Sequence, residues 1–247
     1  MKRLLLAAML LCLLTGNAFA NFITYDAKAD FNGSVNGAGG NWRYGWSDNE
    51  TSALNDYTNA NSFNDTVNKL QGFRNYSGGG ADTLTPGVFK AYGSSTPHGY
   101  QNGDLIVHPG RIPTNSPNAA DEKFSVVRFV APTAGIYNLA SNWIRKGTSS
   151  NAVGTPDIRV YISRSSSPTS LFSGNFDFNQ LGTFSVNGLS LTAGETIDFR
   201  VGGLGERNGD VTISNVTITA VPEPGSLACV SGLVAGLSVL SRRRRQA

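Results

Sequence analysis

Trp42, Tyr44 and Trp46 stand at alternate positions of one short segment, the spacing that puts every second side chain on one face of a β-strand. Three aromatic rings on one face have two uses. They are either the large side chains that a buried face needs, or a platform on which flat sugar faces stack while Asn, Asp and Arg supply hydrogen bonds at the rim. The residues alone leave both open, and Trp42, Tyr44 and Trp46 are the candidate ligand-binding set. The two histidines, His98 and His108, lie in Thr96-Pro97-His98-Gly99 and His108-Pro109-Gly110. Their spacing matches no standard metal-ligand pattern, and no G-x-S-x-G elbow presents a serine for either to activate. His-Pro-Gly therefore reads as a turn motif, and no residue is assigned a catalytic or metal-binding role.

Carboxylates are too numerous to be informative. Of the 17 acidic residues only Glu223 lies outside residues 21–221, and so many carboxylates allow some pair to meet at glycosidase distance in any fold. Asp198 and Arg200, two apart, read as a solvated or lateral pair on one strand face. Asp30-Phe31-Asn32-Gly33-Ser34 begins like a calcium loop, but its Gly is at the fourth position where an EF-hand needs it at the sixth. No cofactor is expected, and a structural Ca²⁺ in some loop, using Asp210, is left open.

The elements that must position these groups are strands. From Phe124 onward short apolar runs alternate with turn residues: Phe124 to Val130 stops at Ala131-Pro132-Thr133-Ala134-Gly135, and Ile136 to Ile144, which carries Trp143 as a core residue, stops at Lys146-Gly147. Ile158, Val160 and Ile162 alternate with Arg159, Tyr161 and Ser163. Ile197, Phe199 and Val201 alternate with Thr196, Asp198 and Arg200. Asn187-Gly188 after Phe184-Ser185-Val186 reads as a hairpin turn, and Asn208-Gly209 as a turn into Val211 to Ala220. The N-terminal half reads as long loops around a few strands such as Trp42 to Trp46 and Asp104 to His108. No amphipathic helical stretch of 12 residues is present in residues 21–221. The fold class is all-β: a single jelly-roll-like β-sandwich over residues 21–221, flanked by an N-terminal signal helix and a C-terminal hydrophobic helix.

The two ends read as address labels. Lys2-Arg3, the apolar run Leu4 to Leu14 and Ala18-Phe19-Ala20 form a secretory signal peptide over residues 1–20, with Ala18 and Ala20 as the small residues of the cleavage site. At the other end Pro222-Glu223-Pro224 precedes an uncharged stretch from Gly225 to Ser241 and then Arg242, Arg243, Arg244 and Arg245. As a helix that stretch is a short membrane anchor, and the four arginines hold its end on the cytoplasmic side. Cys12 and Cys229, the two cysteines, both lie in these labels, so residues 21–221 contain no disulfide framework.

The whole chain carries a formal charge of +3. Six of its 20 basic residues and one of its 17 acidic ones belong to the two ends, which leaves 14 against 16, or −2, between residues 21 and 221. The basicity is that of the labels. With no basic run, P-loop or RNA-binding pattern in the body, nucleic acid is not an expected partner.

Val221-Pro222-Glu223-Pro224-Gly225, the hydrophobic stretch and the terminal arginines resemble the PEP-CTERM sorting signal. The resemblance implies a bacterial exported protein handled by an exosortase, a membrane transpeptidase that reads Pro222, Glu223 and Pro224, removes the tail and passes the protein to the cell surface. It also implies an association with extracellular polysaccharide or biofilm. Signal peptidase and exosortase are then partners in export, and anchoring by the tail (222–247) is transient. The segments Arg128 to Tyr137, Leu171-Phe172 and Leu189 to Phe199, with Trp42 to Trp46 and Val107 to Gly110, resemble a jelly-roll domain of exported bacterial surface proteins that carry this tail. That likeness implies a fold similar to carbohydrate-binding modules. The expectation is an exported, non-catalytic surface or matrix protein that binds carbohydrate. A matrix protein without a defined ligand and a polysaccharide hydrolase are the alternatives.

Overall fold

The structure is a computed structural model that describes residues 22–33, 35–37, 40–75, 85–94, 98–111, 122–146, 158–167, 169–204 and 211–222. The signal segment, the sorting tail beyond Pro222 and the Asn208-Gly209 turn lie outside the described residues. Among the described residues no helix is long and apolar enough to cross a membrane.

The alternating sequences form two antiparallel sheets. In the first, β13 (Leu181–Leu191), β10 (Gly135–Lys146), β15 (Val211–Val221), β7 (Leu105–His108), β6 (Gly87–Ala91), β5 (Leu70–Arg74) and β4 (Ser62–Asp65) lie side by side, and β1 (Ile23–Asp26) also pairs with β15. In the second the order is β12 (Phe172–Phe176), β11 (Ile158–Arg164), β14 (Thr196–Gly203), β9 (Glu122–Val130), β2 (Trp42–Ser47) and β3 (Asn55–Asp56), with β8 (Gly110–Arg111) paired to β9. This is the all-β sandwich of jelly-roll type that the strand spacing predicts. The short helix α1 (Ala27–Asp30) interrupts the strands after β1, where the Asp26 carboxylate caps it by accepting from the Lys28 and Ala29 N–H groups at 2.8 and 3.0 Å.

Period-2 patterning sends one face of each sheet inward. Trp42, Tyr44, Val127, Phe129, Val160, Ile197, Phe199 and Val201 of the second sheet meet Phe73, Val88, Leu105, Val107, Leu139, Trp143, Val216 and Ile218 of the first in one core. A second, smaller apolar cluster of Phe89, Ala91, Tyr100, Ile106 and Ile213 covers the outer face of the first sheet. The opposite strand face of β7 supplies it, since Ile106 alternates with Leu105 and Val107.

One turn expected from the sequence is absent. Asn187-Gly188 lies inside β13, where the register against β10 shifts between the Tyr137–Leu189 and Leu139–Val186 pairs. Gly188 takes φ +73° and its N–H donates to Asn138 Oδ1 at 3.0 Å, so the dipeptide makes a β-bulge instead of a hairpin. Both features need a residue at positive φ, and here the strand continues because β10 pairs with it on both sides of the bulge.

Candidate functional site

The outer face of the second sheet is built from the residues left over by the core. Directly opposed residues of antiparallel strands point to the same side, so pairing assembles two rungs across four strands. One rung runs Ser163, Asp198, Arg128 and Arg43; the next runs Tyr161, Arg200, Val126 and Gly45. Glycine at position 45 clears a path, because a Cβ there would meet the Asn55 carbonyl oxygen at 2.3 Å. The segment after β2 folds over this end of the sheet. Asn49 turns it, its Oδ1 accepting from the Thr51 and Ser52 N–H groups at 2.9 and 2.8 Å.

Three cations fasten that loop. Arg200 Nη1 donates to Ser47 Oγ at 2.8 Å, to the Asn49 carbonyl at 3.1 Å and to the Ser52 carbonyl at 2.8 Å. Lys123 pairs with Asp48 at 2.6 Å, and Arg159 pairs with Glu50. Between the loop and the start of the Arg164–Ser167 turn lies a cleft of about 260 Å³. Tyr161, half-buried, lines it together with Ser163, Thr196, Arg128, Arg164, Asp198 and Arg200.

The ionised groups are held rigidly. Arg128 donates to Asp198 through Nε and Nη2 at 2.6 and 2.8 Å, a bidentate fork that raises the guanidinium pKa further. Arg200 Nη2 reaches the same carboxylate at 2.7 Å. Arg164 is oriented by Glu195, Nε to Oε1 at 2.7 Å. Burial alone would push the Glu195 carboxyl up, but the Ser166 hydroxyl, the Thr192 N–H and the Arg164 guanidinium bring it down to about 2. The turn Thr192-Ala193-Gly194-Glu195 is thus stapled to the edge of the cleft.

The aromatic set is where the sequence reading needs correction. Trp42, Tyr44 and Trp46 share one strand face as expected, but that face is the inner one. Trp42 is 3% and Tyr44 2% exposed; the Trp42 ring packs at 5.3 Å on Phe129 and that of Tyr44 at 4.7 Å on Phe31. Neither can meet a ligand. Trp46 is half-buried at the end of the core with Lys123 Nζ 6.0 Å from its ring, and it does not reach the cleft. Trp143 lies in the core, as read from its strand.

Asp198 and Arg200 do form a lateral pair, yet each is only 4% exposed, so the pair is not solvated. The covering loop, contributed from some 150 residues away in sequence, removes the water. Tyr161, Arg128 and Arg164 were not singled out as site residues. The alternation of Arg159, Tyr161 and Ser163 against Ile158, Val160 and Ile162 was the signal that could have found the first of them.

The remaining candidates disperse. His98 stacks on Tyr100 with ring centroids 6.0 Å apart, whereas His108 ends β7 with Nδ1 buried and without a hydrogen-bond partner; burial lowers its pKa to about 4. Asp30 closes α1 and accepts from Trp42 Nε1 at 3.2 Å. Among the described residues no three His, Cys, Asp or Glu side chains gather in a metal-ligating group, and Asp210 lies outside them. A wider cleft of about 560 Å³ is lined by Asp30, Asn32, Gln71, Lys90, Tyr92 and Asn102. Its charged groups are turned to the protein itself, Asp30 to Trp42 and Lys90 Nζ to the Lys28 carbonyl at 2.8 Å.

No family model and no curated protein matches the chain. Among solved structures the chain is similar to TmCBM61 in complex with β-1,4-galactotriose, at 12% identity and a TM-score of 0.33 over 58% of this chain and 86% of that one. It is also similar to the C-terminal CBM6 of LamC from Zobellia galactanivorans, at 12% identity and a TM-score of 0.24 over 46% of this chain and 92% of that one. A third likeness is to an isomalto-dextranase from Arthrobacter globiformis T6, at 13% identity and a TM-score of 0.29 over 54% of this chain and 20% of that one. Likenesses of this depth assign neither a ligand nor a site.

Proposed function

We propose that this is an exported, non-catalytic carbohydrate-binding protein of the bacterial surface or extracellular matrix, and that its glycan site is the cleft around Tyr161. The observation that carries the reading is the make-up of that cleft. A half-buried tyrosine shares the cleft with serine and threonine hydroxyls and with guanidinium groups already fixed by partners, the residue types of a stacking surface with preset hydrogen-bond donors. Preset donors spare the ligand the entropy of ordering them.

The carboxylates support a binding role over a hydrolytic one. A glycosidase needs one carboxyl whose pKa is raised so that it keeps a proton to give. Here Asp198 accepts from two arginines, Glu50 from Arg159, and Glu195 is driven down to about 2. Glu195 is therefore ionised at neutral pH, and the other two are engaged by arginines.

Delivery to the surface rests on the two ends of the sequence: the signal peptide with Ala18 and Ala20, and the tail with Pro222, Glu223, Pro224 and the four arginines read by an exosortase. Tyr161→Ala on a glycan array tests the binding site. The wild type binds at least one glycan class, and the variant loses about tenfold or more in affinity while its free energy of unfolding stays within about 1 kcal/mol of wild type. An array on which the wild type binds nothing contradicts the reading and leaves a matrix protein without a ligand.

A further inference from the structure

We infer that the cleft selects an acidic glycan, one carrying carboxylate or sulfate groups, over its neutral counterpart; the inference rests on the carbohydrate-binding reading of the same cleft. The ion pairs of the cleft are unequal in charge. Arg159 is matched by Glu50 and Arg164 by Glu195, one to one. Arg128 and Arg200 share a single carboxylate, Asp198. Asp56 also acts on Arg128 but is paired with Arg43 at 3.7 Å, so the group remains one negative charge short, and it sits beneath the cleft with Asp198 and Arg200 each 4% exposed.

A buried cation without a counter-charge is costly, and protein groups around Arg200 answer it only in part. Ser47 Oγ and the carbonyls of Asn49 and Ser52 accept from Nη1, and Asp198 from Nη2, while Nε is buried and has no hydrogen-bond partner. Arg128 spends Nε and Nη2 on Asp198, so its Nη1 group takes no part in that fork. The carboxylate lies deeper than the Arg128 head, at 6% against 23% side-chain exposure, so the layer nearer solvent is guanidinium. The same order holds at the other side of the cleft, where Arg164 is 23% and Glu195 4% exposed. Asp198 and Glu195 thus hold Arg128 and Arg164 from below and these two arginines face the cleft, while Arg200 lies as deep as Asp198. Planar guanidinium groups match carboxylate and sulfate oxygens geometrically, and an anion seated among them completes the charge that Asp198 leaves unbalanced.

The test is binding of the full exported protein to a panel of uronate-containing and sulfated oligosaccharides, each beside its carboxyl-reduced or desulfated counterpart, by titration calorimetry at low and high salt. At least one acidic member binds about tenfold or more tighter than its neutral counterpart, with affinity falling as salt rises. Whether the carboxylate or the sulfate arm responds identifies the anion. Arg128→Gln leaves Asp198 paired one to one with Arg200; it brings the acidic-to-neutral ratio toward one, whereas Tyr161→Ala weakens both members. The wild-type ratio and its salt dependence decide the matter even if a variant fails to fold. Equal binding of neutral and acidic members overturns the charge preference while leaving the glycan reading intact. Binding of no member overturns both.

Discussion

Arg200 does two jobs from one buried position: it holds the loop after β2 against the sheet and it sets the charge of the cleft floor. Removing it leaves Asp198 with one partner fewer and takes a donor from Ser47 Oγ and from the Asn49 and Ser52 carbonyls. Arg200→Ala is therefore expected to cost about 3 kcal/mol or more, read as a lower urea midpoint. His108 sets a pH limit. Its folded-state pKa, about 4, lies below the ordinary value of 6.5 because burial disfavours the imidazolium. Below pH 6.5 the unfolded chain takes up a proton that the folded chain refuses until about pH 4, so stability is complete above that window and declines through it. Thermal unfolding at pH 7 and pH 5 should show a loss on the order of 1–2 kcal/mol at the lower pH, and His108→Gln should remove that part of the loss.

Elements show which parts of the molecule local sequence can specify. Strands β9, β10, β11, β14 and β15 were legible because one face of each is packed into the core, and period 2 records that directly. The inner side of β2 was legible as a face but not as inward, since Trp42-Arg43-Tyr44-Gly45-Trp46 alternates identically whichever side meets the other sheet. Only the neighbours decide it, Val127 and Phe129 on β9 being inward and Arg128 outward. The cleft was least legible, because its loop is polar and its fastening runs to Arg200 across the chain. Asn187-Gly188 offered a local signal with two outcomes, hairpin or bulge. Gly188 has open space around it, so a methyl group there meets no neighbour and the cost of Gly188→Ala is that of backbone at φ +73°. The expected loss is about 1 kcal/mol with the fold unchanged, measured by urea unfolding and far-ultraviolet dichroism. A loss of several kcal/mol would mean that the bulge also sets the register of β13 on β10.

At the scale of the molecule, the two sheets spend their inner faces on one core and differ in what they do with the outer ones. The first sheet is covered by its own apolar cluster, into which Tyr100 is inserted with its hydroxyl donating to the Asn68 carbonyl. The second is covered by a polar loop over ion pairs, and it is this sheet that opens a cleft. The first sheet borders the wider cleft at Gln71 and Lys90, but the fixed guanidinium groups belong to the cleft on the second. Residues 21–221 carry a net charge of −2, so attraction of an acidic glycan must come from the local arrangement around Asp198 and not from the charge of the whole. The central claim is that the cleft around Tyr161 is where carbohydrate binds. Its most direct test is an amide chemical-shift map of the ¹⁵N-labelled protein titrated with the tightest-binding oligosaccharide. The account predicts that the perturbed amides cluster at Arg128, Tyr161, Ser163, Thr196 and the loop from Glu50 to Ala53. Perturbations gathered instead at Asn32, Gln71, Tyr92 and Asn102, with the Tyr161 region unmoved, would contradict it.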